Sequence, residues 1–112
     1  MKLSVNEAII APEKLRDYIL SPTHAEGRAK AAYLGLLGYT QSTWERLEAD
    51  LRQQVLSCEA QPGRSSPYGE KYEIVAPLTG PNGKTAWVRA IWIILHGETA
   101  PRLVTLIAEE KL

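Results

Sequence analysis

The dipeptide Asn82-Gly83, set between two long runs of strand-forming residues, commits this chain to a sheet built around one hairpin. Both residues tolerate positive φ, which a tight antiparallel connection demands. Glu70 to Leu78 alternates in character and reads as the first arm. Lys84 to Leu95, rich in Val, Ile and Trp, reads as the second. His96 to Pro101 is then a second connection, and Arg102 to Ala108 a third strand. On the second arm Ala86, Val88, Ala90, Trp92 and Ile94 fall on one side. Trp87, Arg89, Ile91, Ile93 and Leu95 fall on the other. A strand apolar on both sides belongs at the centre of a sheet.

The residues before this block read as helices. Residues Lys2 to Ile10 suit a short edge strand or an extended arm. Pro12 fits a first helical turn, where its missing N–H costs nothing, and Glu13 complements the positive helix end. Leu15, Tyr18 and Ile19 give a stripe at helical spacing, and Pro22 stops it. A second helix carries Ala29, Ala32, Tyr33, Leu36 and Leu37 at i, i+3, i+4, i+7 and i+8, with Gly38 placed as its left-handed terminator. A third opens on Ser42 and Glu45, which have capping-box spacing, and buries Trp44, Leu47, Leu51 and Val55. Arg46, Glu48, Asp50 and Arg52 interleave and read as solvated. Two prolines and a glycine make the stretch from Ala60 to Pro67 a flexible connector.

Helices and strands in separate blocks argue for an α+β fold. The expected architecture is three N-terminal helices packed on one face of a three- to four-stranded antiparallel meander. It forms a single domain with a helical part (1–58), a connector (59–67) and a sheet part (68–112). The second sheet face then keeps apolar area, which either serves a ligand or partner or is covered by the N-terminal arm or the connector.

Bulk properties narrow the function. The 112 residues contain 13 basic and 13 acidic side chains, so no global positive field draws the chain to nucleic acid or an anionic membrane. A local basic patch stays open. Cys58 is the single cysteine, which excludes an internal disulfide and a cysteine-based zinc site and fits a reducing, cytoplasmic setting. No apolar run reaches the ~18 residues of a membrane span, and the N-terminus lacks the pattern of a secretory signal. No phosphate-loop, dinucleotide, metalloprotease or Ser-His-Asp signature is present, so no cofactor and no metal are expected.

The residues that could carry chemistry cluster at the start of the second helix. A helix N-terminus offers free N–H groups and a positive dipole to an anion. Gly27 removes a side chain there, Arg28 and Lys30 add charge, and His24 transfers protons near neutral pH. The plainer reading makes Gly27 a cap, ties His24 to a loop carbonyl and leaves Lys30 solvated. Lys71, on the strand entry Tyr68-Gly69-x-Lys71-Tyr72, can point at the same site. Arg102 can clamp a phosphate and Thr105 can donate a hydrogen bond. Arg89 is unusual in so apolar a strand and either snorkels, pairs with an acid such as Glu73, or lines a groove. His96 reads as an exposed loop residue.

Taken together, Pro12-Glu-Lys-Leu-x-x-Tyr18-x-Leu20, His24-x-x-Gly27-x-x-Lys30-Ala31, Leu37-Gly-Tyr39-x-x-x-x-Trp44-x-x-Leu47, Tyr68-Gly69-x-Lys71-Tyr72, Gly80-Pro-Asn-Gly83 and Arg102-Leu-Val-Thr105 resemble a bacterial domain of unknown function, family 6883. The likeness spans nearly the whole chain. Domains of this type resemble C-terminal modules of polymorphic toxins, and their layout is similar to metal-independent ribonucleases of the barnase, EndoU and colicin-nuclease type. The resemblance implies attack of an RNA 2′-hydroxyl on the adjacent phosphate. His24 would transfer the proton, Lys30, Lys71 and Arg102 would hold the phosphate, and Thr105 would donate to a nonbridging oxygen. The implied partners are RNA or a small anion at the second helix's N-terminus. The competing expectation is a non-catalytic interaction module, a toxin–antitoxin or immunity-type partner or a homodimer through the sheet.

Overall fold

The computed structural model describes residues 1–109. Residues 110–112, the end of the expected sheet part, lie outside the described residues. Three helices precede a four-stranded antiparallel sheet in the order β1-β2-β3-β4, an α+β meander. Helix α1 begins as an α-turn, Pro12–Lys14, and widens into a π-helical segment, Leu15–Ile19. Helix α2 is Arg28–Gly35. Helix α3 is Trp44–Asp50, led in by a 3-10 turn, Gln41–Thr43, and continued by a second π-helical segment, Leu51–Val55. The strands are β1 Gln61–Ser66, β2 Gly69–Thr79, β3 Thr85–Leu95 and β4 Arg102–Ala108.

The π segments explain which residues enter the core. Each closes with an i→i+5 bond, Leu20 N–H to the Leu15 carbonyl and Leu56 N–H to the Leu51 carbonyl, both 2.8 Å. The wider turn brings residues i, i+4 and i+5 to one side. Leu15, Ile19 and Leu20 are therefore all buried, as are Leu51, Val55 and Leu56. Against them pack Ile74, Ala76 and Leu78 of β2, Val88, Ala90 and Trp92 of β3, and Leu103 and Leu106 of β4. The alternate residues of β3, including Arg89, Ile91 and Ile93, point away from the helices and are half-buried. Trp92 is fully enclosed at the centre, and its indole N–H has no hydrogen-bond partner among the described residues.

Four local expectations are corrected. The connector is not loose chain: Gln61–Ser66 pairs with β2, with a register shift between Pro62 and Ser65. Its polar residues bury little, so backbone pairing holds it, and the proline and the bulge protect it as an edge strand. Helix α2 is rotated from the expected stripe. Leu34 and Leu37 are buried and Tyr33 is half-buried, whereas Ala29, Ala32 and Leu36 are exposed. The capping box lies at Thr40 and Thr43, not at Ser42 and Glu45. Asp50 is buried, and Arg52 is half-buried, donating to the carbonyls of Val5 (3.0 Å) and Ala8 (2.9 Å) and to Glu48 (3.2 Å).

Arg52 thereby ties the N-terminal arm to α3. The arm's Ile9 continues to β4, where it forms a parallel bridge with Arg102 and covers the start of that edge. β1 lies in the sheet beside β2, and the arm meets the outward face at its β4 edge, where Ile9 and Ala11 share a cleft with Ile93.

The β2–β3 loop is also a helix cap. Pro81 and Asn82 form a turn closed by Gly83 N–H to the Gly80 carbonyl, with Gly83 alone in the left-handed region (φ 85°). Asn82 keeps an ordinary backbone, and its N–H and Nδ2 bond the carbonyls of Leu37 and Leu36. The hairpin tip thus satisfies the orphan acceptors at the end of α2. Gly38, at φ 96°, turns the chain out of that helix as its spacing predicts.

Candidate functional site

Where the turn before α2 meets α1 and the edge of β4, a cleft of about 570 Å³ opens, lined by Glu13, Lys14, Tyr18, His24, Glu26 and Thr105. Tyr18 stands at its centre. Its hydroxyl lies 3.2 Å from the Thr105 hydroxyl, fixing the π segment of α1 to β4. The His24 ring meets the tyrosine ring edge-on at 4.9 Å. The ammonium groups of Lys14 and Lys30 lie 5.7 and 5.9 Å from the ring centroid, within cation–π range.

Three of the expected site residues, His24, Lys30 and Thr105, therefore surround one aromatic ring, although they come from a turn, a helix and a strand. Arg102 occupies a neighbouring cleft of about 290 Å³, which shares Lys14 with the first. Its guanidinium is paired with Glu98 at 3.1 Å. Lys71 is elsewhere: it lies opposite Ile93 on the outward side of the sheet and lines neither cleft. Arg28 is exposed at the rim of a separate groove between α1 and α2.

The turn itself departs from the expected anion nest. His24 Nδ1 accepts from the N–H groups of Glu26 (3.0 Å) and Gly27 (3.1 Å), and the His24 carbonyl accepts from Arg28 (3.0 Å). The histidine ring thus caps the turn that leads into α2, and the amides expected to meet a phosphate are already bonded. Ser21 Oγ accepts from the amides of Thr23 and His24 in the same manner. An Nδ1 that accepts fixes the neutral ring's proton on Nε2. His24 therefore offers a donor, Nε2–H, and not a free basic nitrogen. Gly27 is buried because a Cβ there would lie 1.8 Å from the Tyr18 carbonyl oxygen. Its missing side chain lets the turn rest on α1, and does not make room for a ligand.

The cap can be tested apart from function. His24→Ala should lower stability by about 1 kcal/mol, the usual worth of a side-chain cap, and His24→Asn should recover most of it. Equal losses in both variants, measured by chemical denaturation, would contradict the capping role.

The sequence reading missed Tyr18, Lys14, Glu13 and Glu26 as site residues. Tyr18 falls on the apolar stripe of α1, a pattern that reads as packing. Its phenol was the available signal, because a tyrosine on a packed face needs a partner for its hydroxyl. Among the described residues no group of three or more His, Cys, Asp or Glu side chains is arranged to hold a metal ion. Among the described residues no helix is long and apolar enough to cross a membrane.

Fold and cleft together define a small α+β domain with helices ahead of a meander and a polar cleft at the sheet's edge. The chain belongs to the family described as Domain of unknown function (DUF6883), whose model matches residues 2–110. No curated protein and no solved structure matches it.

Proposed function

We propose that the Tyr18 cleft takes a phosphodiester, and that the chain binds single-stranded RNA along β4 and cleaves it without a metal. One observation carries this reading: Lys14 and Lys30 both approach the Tyr18 ring, and Lys14 also borders the cleft of Arg102. Cations interleaved with an aromatic ring are the elements of a single-strand site, where charges follow the backbone and a ring stacks on a base.

The chemistry then differs from that implied by the resemblance. His24 has Nδ1 engaged, so a carboxylate of Glu13 or Glu26 is the better base. It takes the proton of the 2′-hydroxyl as the 2′-oxygen attacks phosphorus. The P–O5′ bond breaks, the 5′-oxygen takes a proton from water, and a cyclic phosphate remains. Lys14 and Lys30 stabilise the added negative charge, while His24 Nε2–H and the Thr105 hydroxyl donate to nonbridging oxygens. Arg102 would hold the neighbouring phosphate once freed from Glu98. Such activity suits a toxin-like protein of the bacterial cytoplasm, where Cys58 stays reduced. The alternative job of a non-catalytic interaction module draws on the outward sheet face and does not compete for this cleft.

Binding is tested by fluorescence anisotropy with a labelled single-stranded oligoribonucleotide across a salt series. Three cations on phosphates predict a log–log slope of about −2, and Lys14→Ala or Lys30→Ala should each bring it to about −1.4. Cleavage should leave cyclic phosphate ends and be lost in Glu13→Gln or Glu26→Gln. Absence of binding at low salt, or binding indifferent to both lysine variants, would remove the proposal.

A further inference from the structure

The outward face of the sheet carries residues that the Tyr18 cleft does not use, although Ile93 also lines the Arg102 cleft. Val75, Ile91, Ile93 and Leu95 are half-buried there, and Ile107 is exposed. Among them Arg89 donates through Nε and Nη2 to Glu109, each at 2.9 Å, and through Nη1 to Glu73. Both contacts raise the guanidinium's pKa above its ordinary value, and Arg89 holds the Glu109 carboxyl below the usual carboxylate range. This cluster has one cation and two carboxylates, so it carries one excess negative charge. Lys71 stands on the same face, opposite Ile93, while Glu73 is opposite Ile91. Lys71 has no ion-pair partner among the described residues.

We propose that this face is the interface of a symmetric dimer of the chain, with Lys71 of one protomer against the Glu73–Arg89–Glu109 cluster of its partner. A twofold interface sets one patch against itself, so the patch must be self-complementary. This one is: Lys71 and Arg89 balance Glu73 and Glu109, and the unpaired cation is offset from the cluster with excess negative charge. Placing the axis near Ile91 brings Lys71 to the opposite cluster and stacks Ile91 and Ile93 between the two sheets, as in an aligned sheet-on-sheet packing. No charge is then buried alone, which is the costly case. Association through the edges is disfavoured. Ile9 covers the start of β4, and Pro62 and the register shift interrupt β1. The inference rests on the sheet face, which meets the Arg102 cleft at Ile93, and its test reads the oligomeric state without RNA.

Sedimentation velocity on the whole chain, from low to high micromolar concentration, should show a dimer. Ile91→Lys should give a folded monomer, checked by an unchanged circular dichroism spectrum. Lys71→Glu should weaken the dimer about tenfold or more, the scale of a close interfacial charge pair, and Lys71→Glu combined with Glu73→Lys should restore it. A wild-type monomer at high micromolar concentration would overturn the proposal, whatever else the face binds. So would a dimer insensitive to Ile91→Lys, and a dimer indifferent to Lys71→Glu would overturn the stated pairing.

Discussion

Gly27→Ala is expected to lower stability by about 3 kcal/mol, the upper range for forcing an extra methyl into a packed site. The added Cβ would meet the Tyr18 carbonyl oxygen at 1.8 Å and its carbon at 2.7 Å. Both are backbone atoms of the π segment, so no rotamer change relieves the overlap. The turn and α1 must separate, which also pulls Tyr18 from Thr105 and opens the cleft. Gly27 has φ −86°, an ordinary helical value, so the effect is one of space and not of backbone freedom. Gly35→Ala is the control. A Cβ at Gly35, on the exposed side of α2, meets nothing within 4 Å and should stabilise by about 1 kcal/mol through helix propensity. Thermal unfolding followed by circular dichroism distinguishes the two. An unchanged melting temperature for Gly27→Ala would contradict the close packing of turn on helix.

Asp50→Ala should cost a similar amount, about 3 kcal/mol, by stranding a phenol in the core. Tyr39, 2% exposed, donates from its hydroxyl to Asp50 Oδ2 at 2.6 Å, and Asp50 is itself 4% exposed. Arg46 Nε donates to the same oxygen at 3.0 Å from a half-exposed side chain, so the buried carboxylate keeps a counterion. Without Asp50 the phenol retains only the Thr79 carbonyl at 3.4 Å. Asp50→Ala made in a Tyr39→Phe background should cost markedly less, because no hydroxyl is then left without its partner. Equal costs in the two backgrounds, from urea denaturation, would show that the pair does not act as a unit.

The same pair sets a pH dependence. Burial first, and the bond to Asp50 second, push the Tyr39 phenol far above its ordinary range. A raised folded-state value means the stabilisation is complete below about pH 10, where the unfolded tyrosine begins to ionise. It falls as pH rises further, because the unfolded chain loses a proton that the folded chain keeps. Tyr39→Phe should remove that part of the alkaline destabilisation.

The sequence made some of these features legible and hid others for physical reasons. The β2–β3 hairpin announced itself because a two-residue alternation and a Gly at positive φ are local properties. So did Gly38 at the end of α2. Strand β1 did not, since Gln-Pro-Gly-Arg-Ser-Ser buries almost nothing and is held by backbone pairing and the hydrogen bonds of Ser66. Alanine blurred the face of α2: Ala29 and Ala32 fit the apolar pattern, but it is Tyr33, Leu34 and Leu37 that reach the core. Asp50 looked solvated because its partner, Tyr39, comes from the other side of the preceding turn. In the cleft, His24, Lys30 and Thr105 were recognisable as residue types. Their geometry was not, and neither was the use of His24 Nδ1 as a cap on the turn into α2 or the position of Lys71 on the opposite side of the sheet.

The most direct test of the cleft is an amide chemical-shift titration of the labelled protein with a short single-stranded oligoribonucleotide at low salt. The largest shifts should fall on Lys14, Tyr18, His24, Gly27 and Thr105, and in Lys14→Ala they should need more oligonucleotide to reach the same size. Shifts confined to β2 and β3, or none at all at saturating oligonucleotide, would contradict the assignment.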